Sequence, residues 1–125
     1  MWKNTVKAIF ADLCLSKEDE AGMETRVMGG GAFNAADNVV QHNVCGSVSI
    51  PNVYASEYGK VYKSCGTFGA CKRAITIEGD YSYGDGEVTG INEGTGDEAT
   101  LVNLCTDAKT PCQLYKGPGK KSGSC

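Results

Sequence analysis

The sequence contains no Cys-x-x-Cys pair, a single histidine, and no apolar run approaching the length of a bilayer-spanning helix. The first absence removes the usual zinc-knuckle, rubredoxin-like and thioredoxin-like arrangements, whose sulfurs need that spacing. One histidine cannot build a histidine-rich metal site. The lack of a long apolar run leaves no expected membrane span. A basic excess is missing as well: 12 Lys and Arg against 15 Asp and Glu give a net charge of -3. Nucleic-acid binding needs a cationic face that displaces counterions. The one dense basic group, Lys116, Lys120 and Lys121, reads as a solvated end, so no nucleic-acid partner is expected. The opening "MWKNTVKAIFADLC" does not read as a signal peptide, because Lys3, Asn4, Lys7 and Asp12 interrupt its apolar residues.

Apolar residues are scarce for a chain of 125: hydrophobic types make up 41%, against 17 glycines, each of which costs extra backbone entropy on folding. A single domain spanning residues 1–125 therefore needs help beyond its core. Seven cysteines, at 14, 45, 65, 71, 105, 112 and 125, supply it as a disulfide framework in an oxidising setting. The expected location is extracellular, or a virion or cell surface. Cys65 and Cys71, and Cys105 and Cys112, are close enough to close local loops, and Cys14 with Cys45 would tie the first element to the next. Six paired cysteines allow 15 connectivities. Cys125, on the tail "GPGKKSGSC", is left either to pin that tail to the body or to link another chain.

Trp2, Val6, Ile9, Phe10 and Leu13 recur at helical steps, so residues 1–22 read as mainly helical. From Val40 the period becomes two, with Val40, His42, Val44, Gly46, Val48 and Ile50 on one face. Val61, Lys63 and Cys65 mark a shorter strand. In "CKRAITIEGDYSYGDGEV", Ile75, Ile77, Gly79, Tyr81 and Tyr83 share a face, and Asp85-Gly86 reads as a tight turn into a strand at Val88 to Ile91. "ATLVNLC" is a last strand. Residues 40–105 are mainly β, residues 113–125 a flexible or docked tail, and no internal repeat is visible. The expected fold is α+β: an N-terminal amphipathic helix on an antiparallel sheet of about five strands, stabilised by disulfides. This order is loosely similar to the globular head of type IV pilins, with no motif that carries residues across.

Candidate chemistry is sparse. His42 shares the apolar parity and reads as a hydrogen-bonded core residue; Cys45 lies on the opposite parity, so the two form no nucleophilic dyad. "GDGEVTG" and "MGGGAFN" lack the lysine of a phosphate loop. Asp80, Asp85 and Glu87 fall in an acidic, glycine-rich segment suited to a hard cation such as calcium, without EF-hand spacing. Tyr54, Tyr58 and Tyr62 recur at four-residue steps and are the candidate interaction surface, since tyrosine contributes a large contact area with a polar tip. The function expected from these readings is non-catalytic. The first reading is a secreted effector, toxin-like or adhesin-like module that binds another protein. The alternatives are a self-assembling filament or capsid subunit crosslinked through Cys125, and a calcium-binding extracellular domain.

Overall fold

A computed structural model describes residues 24–125 apart from 29, 44, 68–70 and 85. The expected helix at the N-terminus lies outside the described residues. Among the described residues the regular elements are all strands, apart from one 3-10 turn at Glu93–Thr95. The strands are β1 (Glu24–Arg26), β2 (Gly31–His42), β3 (Gly46–Pro51), β4 (Tyr54–Ser64), β5 (Arg73–Glu78), β6 (Tyr81–Tyr83), β7 (Glu87–Asn92), β8 (Glu98–Val102), β9 (Cys105–Thr106), β10 (Cys112–Lys116) and β11 (Lys120–Ser124).

The pairing is parallel throughout, except for the β10–β11 hairpin. One sheet runs β1-β3-β5-β8; the other runs β11-β10-β7-β4-β6-β9, with β2 also on β4. Parallel partners lie 22 to 27 residues apart, from Asn38 against Lys60 to Tyr54 against Tyr81. Each 22–27-residue stretch is therefore one coil, and the chain winds as a parallel β-helix. The first coil is β1–β2 and the second β3–β4. The third is β5–β6–β7 and the fourth β8–β9–β10, after which β11 folds back over the edge of β10. Each short turn carries the chain to the next face of the same coil, not back alongside the preceding strand. A parallel pair needs a crossover of a dozen or more residues, and here the rest of the coil is that crossover.

The expected α+β fold with an antiparallel sheet is thus replaced by a solenoid. Asparagines and glycines at positive φ form corners here, while Asp85 of the expected tight turn lies outside the described residues. Two corners are stacked from coil to coil by backbone geometry. Asn52, Gly79 and Asn103 follow the partnered Pro51, Glu78 and Val102, and all three have φ between 53° and 70°. Asn34, Glu57 and Gly84 follow the partnered Phe33, Ser56 and Tyr83, again with positive φ. Asparagine and glycine tolerate the left-handed conformation that such a corner requires.

These corners also reset the side-chain parity. Ile75 and Ile77 point inward as expected, at 1% and 0% exposure, but Gly79 turns the chain, so that Ser82 is buried while Tyr81 and Tyr83 are exposed. The core is a column of stacked side chains: Val48 beside Ile75 and Ala99, and Ile50 beside Ile77 and Leu101. His42 is buried, its Nδ1 2.6 Å from the hydroxyl of Tyr62.

One disulfide closes between neighbouring turns of the coil and a second closes the terminal hairpin. Cys45–Cys71 joins the entries to β3 and β5, and Cys112–Cys125 joins β10 to the end of β11. Cys125 is therefore bonded within its own chain. Cys65 is buried and Cys105 is an exposed thiol; Cys14 lies outside the described residues. Winding brings residues about one coil apart into contact, which explains a 26-residue separation between Cys45 and Cys71. The chain-entropy model assigns a loop of that size about 3.5 kcal/mol. Cys45→Ser with Cys71→Ser should lower unfolding free energy by that order in a denaturant titration, while Cys105→Ser should leave it within about 0.5 kcal/mol.

Candidate active site

The long groove beside β2, β4 and β10 has a volume of about 490 Å3 and is lined by Asp37, Asn38, Lys60, Lys63, Tyr115 and Lys121 among others. Three features of the solenoid shape it. A β-bulge between Ala35 and Asn38 interrupts the β2–β4 register and leaves Asp37 projecting into solvent. Gly59 lies under that bulge, where a Cβ would come within 2.4 Å of the Asp37 carbonyl oxygen. Gly90 on β7 forms the floor. A Cβ there would stand 2.7 Å from Cδ of Lys63, 3.0 Å from Cε2 of Tyr115 and 3.1 Å from Cδ of Lys60.

Over that floor lies Lys63. Its side chain is almost fully buried, and its Nζ has no hydrogen-bond partner among the described residues. The ammonium sits 3.7 Å from the centroid of the Tyr115 ring. Burial, and then the charge of Lys60, push the Lys63 pKa down to about 8. An amine of that pKa is free to accept a proton at near-neutral pH, which an ordinary lysine is not. Lys60 lies mostly within the groove, 4.0 Å from the Asp37 carboxylate. Lys121 reaches in from β11 to Glu87. Behind Lys60, amides line the wall: Asn38 Nδ2 donates to Gln41 Oε1 at 2.7 Å, and Gln41 Nε2 donates to Asn43 Oδ1 at 3.1 Å. Asn38 Oδ1 is left buried with no hydrogen-bond partner among the described residues. The groove is cationic in a chain of net negative charge. It is suited to an anionic ligand.

The residues singled out from sequence lie elsewhere. Asp80 is fully buried, its carboxylate accepts from Ser82 Oγ at 2.5 Å, and burial raises its pKa. Asp85 lies outside the described residues. Glu87 is engaged by Tyr115 and Lys121. No cluster of three or more His, Cys, Asp or Glu residues suited to a metal occurs among the described residues. Tyr54 is exposed beside Phe33, whereas Tyr58 and Tyr62 are 4% and 0% exposed. Their four-residue spacing runs through the corner at Glu57, so the three share no surface. Lys60 and Lys63 went unremarked as a site. Their one local signal is "KVYKSC", two lysines interleaved with Val61, Tyr62, Ser64 and Cys65, all of which are buried.

The structure defines a parallel β-helix with a cationic groove on one flank, and comparison with known proteins gives its family. The chain belongs to the pectate lyase family, whose model matches residues 5–122. It is 54% identical over 113 residues to probable pectate lyase F of Aspergillus terreus, an alignment covering 86% of this chain and 48% of that protein. The probable pectate lyase F of Aspergillus fumigatus is 48% identical over 126 residues, covering 93% and 54%. Pectate lyase H of Emericella nidulans is 41% identical over 108 residues, covering 80% and 42%. The chain spans about half the length of these relatives. Membership of an enzyme family overturns the non-catalytic effector, toxin-like or adhesin-like reading, and with it the self-assembling filament or capsid subunit. The extracellular setting stands, and the two disulfides agree with it.

Proposed function

We propose that the protein cleaves pectate, a polymer of galacturonate, by β-elimination, with Lys63 as the base. The observation that carries this is a buried amine, its pKa held near 8, in a cationic groove of a chain in the pectate lyase family. In the reaction, the neutral Lys63 amine takes the proton on C5 of a uronate, α to the carboxylate. The electron pair forms the C4=C5 double bond as the C4–oxygen bond breaks, and the departing oxygen takes a proton from solvent. The difficulty is the extra negative charge that develops beside the uronate carboxylate. Lys60, 4.0 Å from Asp37 and close to Lys63 over Gly90, offsets that charge and orients the carboxylate.

A calcium ion would take its protein ligands at the edge of this groove. Hard cations take oxygen ligands, and the Asp37 carboxylate and the unpartnered Asn38 Oδ1 would hold it, with further oxygens from the substrate. When bound, such an ion supplies neutralising charge to the uronate carboxylate.

Incubation of the purified protein with polygalacturonate should generate reducing ends together with the ultraviolet absorbance of an unsaturated uronide, and a chelator should suppress both. Reducing ends without that absorbance would mean hydrolysis and defeat the proposal. Gly90→Ala should reduce kcat roughly 10- to 100-fold by displacing the Lys63 stem, with the melting temperature little changed; steady-state kinetics and a thermal melt check both.

A further inference from the structure

Tyr115 is nearly buried, at 4% exposure, yet it sits at the groove floor between two lysines. Its ring centroid is 3.7 Å from Lys63 Nζ and 5.7 Å from Lys60 Nζ. Its hydroxyl donates to Glu87 Oε2 at 2.5 Å. The other oxygen of Glu87 accepts from the Lys121 ammonium on β11, which Cys112–Cys125 binds to β10. The ring is therefore held at its far end by a charged, doubly engaged carboxylate.

Lysine carries a four-carbon stem with free rotors, and the Lys63 amine has no hydrogen bond among the described residues to fix it. The aromatic face is the contact that restrains it. We propose that Tyr115 is a positioning residue, whose ring face aims the Lys63 amine into the groove while Glu87 holds the ring in place. The proposal rests on the reading of Lys63 as the base.

The other groups facing Lys63 make the effect readable. Lys60 on β4 opposes its charge, while Glu87 on β7, Cys65 after β4 and Asp97 before β8 favour it. Lys121 on β11 faces the same groove. The ring quadrupole adds to the favourable set, because a cation within about 6 Å of an aromatic face is attracted to it. Removing the face should push the amine further towards its neutral form and let its stem wander.

The test titrates Lys63 by NMR in protein labelled at the lysine side chains, with the resonance assigned by its loss in Lys63→Met. Tyr115→Phe keeps the face and loses only the tether to Glu87, so the Lys63 midpoint should stay close to native and kcat should fall by no more than roughly 3- to 10-fold, less than in the variant without a ring. Tyr115→Leu should lower the Lys63 midpoint and reduce kcat roughly 10- to 100-fold with KM little changed. A ring-fluorinated phenylalanine at 115 keeps shape and fold while weakening the face. The midpoint should fall with each added fluorine. A Lys63 titration unmoved by fluorination, with kcat retained, overturns the proposal. The two readings fail separately: an active Lys63→Met removes the base, whereas an inactive Lys63→Met with an unmoved titration on fluorination removes only the role of Tyr115.

Discussion

Lys63→Met should lower kcat on polygalacturonate by roughly 10²- to 10⁴-fold, the range a positioned general base contributes. Methionine matches the stem and fills the space above Gly90, so the loss reports the amine and not a collapsed groove. Stability should move the other way. The folded-state pKa of Lys63 lies near 8, below its ordinary 10.5, so the unfolded chain binds more protons between those values. Native stability therefore rises with pH across that window, and below it the buried charge is a standing cost. Removing the charge should leave the melting temperature at neutral pH unchanged or higher, and should flatten the rise between pH 8 and 10.5. A variant that is both inactive and strongly destabilised would point to a structural lysine.

The largest stability effect is expected at Asp97. Arg73 and Asp97 are both wholly buried, with Arg73 Nη1 3.9 Å from Asp97 Oδ2 and the Arg73 backbone amide donating to Asp97 Oδ1 at 2.9 Å. The guanidinium also donates to the carbonyls of Asn43 and Cys71, the points where the chain leaves β2 and approaches β5. Asp97→Ala leaves that guanidinium buried without its carboxylate, a loss of about 3–5 kcal/mol. For a chain of this size the melting temperature should fall by roughly 10–20 °C, as read by circular dichroism. A shift of only a degree or two would show that Arg73 is satisfied without Asp97.

What the sequence made legible was local. The alternation of Ile75 and Ile77 and the inward His42 follow from a period of two and are where that period puts them, and the strand expected from Val88 to Ile91 lies within β7. The winding was not legible, because parallel and antiparallel strands share that period, and because an Asn or Gly at positive φ serves a corner as well as a hairpin. The 22–27-residue repeat is carried by backbone register, with Val48, Ile75 and Ala99 or Tyr62 and Thr89 as equivalents that share no identity. The site was hidden for the same reason. Asn38, Lys60 and Glu87 are stacked partners on successive coils, yet nearly 50 positions separate the first from the last. Of the acidic residues read as a cation site, Asp80 is buried against Ser82 while Glu87 meets Tyr115 and Lys121 beside the groove.

The pH dependence of kcat/KM on polygalacturonate tests the central claim most directly. A neutral Lys63 amine as proton acceptor gives an acid limb with its midpoint near pH 8, and that limb disappears with the activity in Lys63→Met. An acid limb that persists at the same midpoint in the methionine variant would assign the proton transfer to another group.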